Sequence, residues 1–313
     1  MSTNKQVVAA KLALVMDGME FAVKQMAAGI KAFAPVVTLD LDLFRQVLLT
    51  QQLDDADNDD EDEPSMNEDE DEDLEDDDTE SSITGGEEDI FIAALERLGP
   101  APIDSVSSEQ VRPGVNIWKF PSEVCQGRYK GRNGSNACSL ISLLTGYTIW
   151  LKKMQPPSSH LSISGVFIDF LCGCIELGNR IYDMCRDSLP FRYLSVQEAA
   201  SVLETWCDIS VESNLPVRLK DQHDPSTVGG QLREAVASRE SFFAFLILNE
   251  KTSLFHVSCG TVMYIDSHSH GSSGTVVVTA KLQDLEMMCQ SVWNLEENDG
   301  NTFGNLAFVK FGT

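Results

Sequence analysis

The chain of 313 residues is short of positive charge and of long apolar runs, and each shortage removes a class of function. Lys and Arg number 23 against 49 Asp and Glu, and the one small basic concentration is Arg128, Lys130 and Arg132. A nucleic-acid surface needs a basic face to neutralise phosphates, so no nucleic-acid partner is expected. The nearest approach to a membrane span, HLSISGVFIDFLCGCIELG, is broken by Asp169 and Glu176. It lacks the roughly 18 uninterrupted apolar residues that crossing a bilayer requires, and no membrane association is expected. The opening stretch MSTNKQVVAAKLALVMDGMEF carries Lys11 inside its apolar part and offers no clear cleavage site for a secretory signal. Eight cysteines scattered along so long a chain do not read as a disulfide framework. The expectation is a reduced, intracellular compartment, cytoplasmic or nuclear.

What the chain has is enough apolar matter, 42% of its residues, to bury a core, and one segment of extreme charge. Residues 54–80 hold 19 of the acids and no Lys or Arg, so the rest of the chain carries a formal charge of only about −7. Such a run repels itself and has almost nothing to bury, which predicts disorder. Three regions follow: a helical N-terminal segment over 1–52, an acidic disordered linker over 53–86, and an α+β domain over 87–313. The linker is expected to act as a solvated spacer, with a basic partner such as a histone as the other possibility.

Within the domain, EEDIFIAALERLG predicts a helix and VNIWKFP a short strand ended by Pro121. Helices are expected after Cys138, over about 161–187, from a capping box at Ser195 and Glu198 through Trp206, and over VGGQLREAVAS. The period then changes. SFFAFLILN, TSLFHVSCG, TVMYID, TVVVTA and LAFVKFG are β-branched and aromatic runs separated by turn residues. Helices first and an antiparallel sheet afterwards make the fold class α+β.

Two stretches carry chemistry. In GRNGSNACSLISLLTGYTIWL, small and polar residues lead up to Cys138, where an apolar helix begins. A thiol at a helix N-terminus faces unpaired N–H groups and the positive end of the helix dipole, which favour the thiolate. The same amides can receive an oxyanion, and Gln126, Asn133 and Asn136 are candidates for a side-chain amide completing that pocket. Against this, a helix-start cysteine also serves simply as core packing. The second stretch is MYIDSHSHG. Alternation along a strand puts Asp266 and His268 on one face, so that the carboxylate can hold the imidazole in one tautomer. The pair is expected at a sheet edge where loops gather.

The N-x-x-N-A-C-S helix start, an antiparallel sheet, and Y-I-D-S-H-S followed by Gly and another strand together resemble papain-like cysteine peptidases. The likeness is to the deubiquitinating peptidase domain of herpesvirus large tegument proteins in particular, and it covers roughly residues 120–312. It implies Cys138 as nucleophile, His268 as general base, Asp266 as its orienting carboxylate, and Gln126 as the nearest match to the family's oxyanion glutamine. The implied substrate is a protein, ubiquitin or a ubiquitin-like modifier, cleaved without a cofactor.

Other readings of the same residues stay open. His256, on LFHVSCG, could be the base with Asp266 on the next strand, or a core histidine between Phe255 and Val257. His256, Cys259, Asp266, His268 and His270 are zinc-ligand types, but their spacing matches no compact zinc motif, and no metal is expected. Cys172 and Cys174 fall on different sides of a helix, which suits neither a metal clip nor a disulfide, and Cys185, Cys207 and Cys289 read as core or incidental residues. The alternative to an enzyme is a fold of the same kind that binds a protein without cutting it.

Overall fold

The computed structural model describes residues 105–157, 162–189, 192–219, 224–295 and 303–312, together with Leu95, Leu98, Ala101 and Ile103. The helices expected in the first 52 residues and the acidic run lie outside the described residues. So does the helix expected over EEDIFIAALERLG, apart from Leu95 and Leu98, which border Gly173.

Among the described residues, eight strands form one sheet: β1 (Ser108–Arg112), β2 (Val115–Lys119), β3 (Ile209–Arg218), β4 (Phe242–Leu248), β5 (Lys251–Ser258), β6 (Thr261–Asp266), β7 (Val276–Lys281) and β8 (Phe303–Phe311). Their order across the sheet is β1-β2-β7-β6-β5-β4-β8-β3, and every neighbouring pair runs antiparallel. Consecutive strands β4, β5 and β6 are joined by two-residue turns. Asn249 and Glu250 (φ 50° and 62°) make the first, Cys259 and Gly260 (φ 50° and 70°) the second. Positive φ at both central residues is the turn whose twist suits a hairpin.

Helices cover both faces of the sheet. The named helices are α1 (Cys138–Leu151), α2 (Gly165–Cys185), α3 (Val196–Leu203), α4 (Val228–Ser238) and α5 (Leu285–Leu295). One face buries Phe242, Ala244, Phe255, Val257, Val262, Tyr264, Val276 and Val278 against Leu232 of α4 and Met288 and Val292 of α5. The opposite face, with Thr252 among its residues, carries α1, and α2 and α3 pack over α1. Helices laid on an antiparallel sheet are the α+β arrangement expected from the sequence.

The burial of α1 follows from its composition. SLISLLTGYTIW has no charged residue, and every position from Cys138 to Ile149 is buried, so the helix is enclosed on all sides rather than amphipathic. Its crossing with α2 is close: a Cβ on Gly178 would lie 2.5 Å from Cγ1 and 3.1 Å from Cα of Ile141, one turn from Cys138. The capping box at α3 is formed as its sequence predicts, with Ser195 and Glu198 bonded reciprocally.

Candidate active site

Cys138 is the first residue of α1, and the helix start is tied to the sheet through Thr252 of β5. Ser139 Oγ meets Thr252 Oγ1 at 2.8 Å, and Ser142 Oγ donates to the Thr252 carbonyl at 3.0 Å. Strand β6 pairs antiparallel with β5, with Ile265 opposite Leu254, so the chain leaving β6 passes beside Thr252. That register brings residues 138 and 268 together across 130 positions of sequence. The His268 ring acts on the Cys138 thiol strongly enough to lower it, and its Nδ1 lies 2.5 Å from Asp266 Oδ1. With Nδ1 committed to the carboxylate, Nε2 is the nitrogen left for the sulfur.

The Asp-His pair is made differently from the strand alternation expected of it. Strand β6 ends at Asp266, and His268 lies beyond it in a bend. Asp266 Oδ1 accepts both from the imidazole and from the backbone N–H of His268 at 2.9 Å, so a local turn fixes the geometry. The pair also sits at the end of an interior strand, between β5 and β7, rather than at an edge of the sheet.

Electrostatics separate this thiol from four other buried ones. Burial pushes Cys172 and Cys185 up to about 11 and Cys174 and Cys289 up to about 12. Burial also pushes Cys138 up, but the hydrogen bond and charge of His268, with smaller help from Thr252, outweigh it and leave the thiol below its ordinary value. Asp266, 1% exposed, is held well below the usual carboxylate range. Burial there opposes ionisation and is overcome by the charges and hydrogen bonds of His268 and His270. Burial disfavours protonated His268, yet the charge and hydrogen bond of Asp266 raise it to about 10.

Among the oxyanion candidates, Gln126 connects both halves of the site. Its backbone N–H donates to the Ser267 carbonyl at 2.8 Å, and its Oε1 accepts from Ser267 Oγ at 3.0 Å. This turns Nε2 toward the Ser135 carbonyl, 3.5 Å away in the loop that runs into Cys138. Asn136 instead reaches toward α2, 3.5 Å from the Tyr182 hydroxyl, and Asn133 is exposed. Both line a cavity of about 490 Å³ with Arg132, Tyr182, Arg186 and Arg192.

The sequence reading missed Asn179. This buried residue of α2 donates to the Gln126 carbonyl at 2.9 Å and accepts from Ser135 Oγ at 2.6 Å, while Ser135 Oγ accepts from the N–H of Ala137. One side chain thus braces the two segments that flank the thiol. The available signal was a polar residue on an apolar stripe, since Asn179 follows Ile175 by four positions and precedes Tyr182 by three.

His256 is not brought to the thiol. It lies four residues along β5 from Thr252, about 13 Å at strand rise, stacked on Phe243 with ring centroids 4.5 Å apart. Burial lowers it to about 4, and its Nδ1 has no hydrogen-bond partner, so it is a neutral core residue. Among the described residues no three His, Cys, Asp or Glu side chains are grouped to hold a metal ion. Likewise, no helix there is long and apolar enough to cross a membrane. Cys172, Cys174, Cys185, Cys207 and Cys289 are all buried and unbridged.

Solved structures similar to this chain include the following two. One is the ubiquitin-specific protease encoded by murine cytomegalovirus tegument protein M48, in complex with a ubiquitin-based suicide substrate. At 13% identity it matches 63% of this chain and 86% of its own, with a TM-score of 0.47. The other is the Pseudomonas avirulence protein AvrPphB, at 12% identity, matching 57% of this chain and 92% of its own with a TM-score of 0.36. No family model and no curated protein matches the sequence.

Proposed function

We propose that this chain is a papain-like cysteine peptidase that releases ubiquitin or a ubiquitin-like modifier. The observation that carries the reading is the Cys138–His268–Asp266 array at the start of a buried helix, where the thiol is pulled below its ordinary value while burial pushes Cys172, Cys174, Cys185 and Cys289 above theirs. In the proposed reaction His268 holds the thiol proton as imidazolium, and the sulfur attacks a substrate carbonyl carbon to form a C–S bond. The developing oxyanion is received by the Cys138 backbone N–H and the Gln126 side-chain amide. Collapse breaks the C–N bond as His268 gives its proton to the leaving amine, and a thioester remains. Water, deprotonated by His268, then hydrolyses the thioester and restores the thiol. The modifier as substrate rests on the family resemblance of the motifs.

One observation favours the alternative, a binding module that does not cut. Cys138 is only 4% exposed, and its thiol points at the Glu250 carbonyl, 3.7 Å away in the β4–β5 turn. A ubiquitin whose C-terminus bears an electrophile separates the two readings. The peptidase reading expects covalent labelling that Cys138→Ala abolishes and His256→Phe retains. Binding of the probe without a covalent adduct would replace it with the module.

A further inference from the structure

His270 lies outside the array described so far, but both of its ring nitrogens face oxygen acceptors. Nδ1 is hydrogen-bonded to the carbonyl of Leu295, the last residue of α5, at 3.2 Å. Nε2 lies 3.0 Å from Asp266 Oδ2, an ion-pair approach off the axis of an ideal hydrogen bond. The side chain is 5% exposed. Its backbone is clamped by two hydrogen bonds with Ser273 around a turn that begins with Gly271 (φ 57°), so the ring has little freedom to turn away.

A neutral imidazole has one N–H and one lone pair. With the Nδ1 proton given to the Leu295 carbonyl, a neutral ring would leave the Nε2 lone pair 3.0 Å from a buried carboxylate oxygen, which repels it. The cation alone satisfies the carbonyl and places positive charge beside the carboxylate. The acceptor from α5 is also the negative end of a helix dipole, which favours a cation there. Among the described residues, the titratable groups placed around the ring include Asp266 and, across that same carboxylate, His268 and the Tyr264 hydroxyl, 3.5 Å from Oδ2. From α5 the ring meets the Leu295 carbonyl.

We infer that His270 is held as an imidazolium between Asp266 and the C-terminal end of α5, a positioning residue whose charge offsets that of Asp266 behind the Cys138–His268 pair. Asp266 is then flanked by two imidazoles, one turned toward the sulfur and one locked away from it. Without the second cation the carboxylate would act uncompensated on both members of the pair. It would hold proton-bound forms more tightly and move the thiolate–imidazolium window to higher pH. The part of this inference that concerns catalysis rests on the peptidase reading, while the charge of His270 does not.

Two measurements on the full chain test it. Nitrogen-15 NMR of the imidazoles at neutral pH should show both ring nitrogens of His270 protonated; a single protonated nitrogen overturns the inference, whatever the enzyme does. Iodoacetamide alkylation of Cys138, followed on its own peptide across pH, should show His270→Gln moving both limbs of the profile upward by roughly one pH unit, about tenfold in rate at the foot of the acid limb. A plateau that drops while the limbs stay put would mean a merely structural role and would overturn the positioning assignment. If wild-type Cys138 titrates as an ordinary thiol, the peptidase reading fails, and the NMR result still decides the charge of His270.

Discussion

At the scale of single residues, two histidines on neighbouring stretches of chain have opposite fates, and surroundings rather than chemistry decide which. His268 has a carboxylate on one side and a thiol on the other and is raised to about 10; His256 has an aromatic ring and apolar walls and is lowered to about 4. For His256 the sign of the stability effect is fixed by which state binds the proton. The unfolded chain takes it up at about 6.5 and the folded chain only near 4, so stability is complete above 6.5 and falls as pH drops toward 4. The loss amounts to roughly 3 kcal/mol. Urea unfolding of wild type and His256→Phe at pH 7 and pH 4 should show that loss in wild type and a smaller one in the variant. Asn179 makes a different prediction. Asn179→Ala leaves the Gln126 carbonyl and the Ser135 hydroxyl each short of a partner, at a cost of about 1–3 kcal/mol. It should also slow probe labelling of Cys138, on the order of tenfold, because both flanking segments loosen.

At the scale of elements, the site depends on how closely α1 is held. The contact of Gly178 with Ile141 has no room for a methyl group, so Gly178→Ala forces α1 and α2 apart at a cost of about 1–3 kcal/mol. Lowered Tm together with slower labelling is the expected result; a change in neither would mean that the crossing does not set the position of the thiol. The β4–β5 turn offers the opposite kind of change. Glu250 occupies a left-handed conformation that suits glycine, and Glu250→Gly keeps the carbonyl facing Cys138 while relieving up to about 1 kcal/mol of strain. Its unfolding midpoint should rise.

At the scale of the whole molecule, the legible parts were those with one strong local cause. Helix α1 could be read from an apolar run without charge, α3 from its capping box, and β4 to β7 from β-branched runs between turn residues. Strand β3 escaped because ISVESNLPVR is polar and contains a proline; it lies at the edge of the sheet, where β8 is the strand it pairs with. Helix α5 escaped because LEMMCQSVWNL follows β7 after only the three residues Leu282–Asp284. Cys138, Asp266 and His268 could be named from motifs, whereas the roles of Asn179, Ser267 and Thr252 depend on segments that meet only in three dimensions. His256 was left open in the sequence for the same reason: its distance from the thiol is set by strand register.

The central claim is that Cys138 and His268 share a proton as a thiolate–imidazolium pair. The most direct test is the pH dependence of Cys138 alkylation in wild type and in His268→Ala. The account predicts that the wild-type sulfur reacts well below the ordinary thiol range and that the variant loses this low-pH reactivity. A sulfur that reacts only in the ordinary thiol range, or one indifferent to the loss of His268, would contradict it.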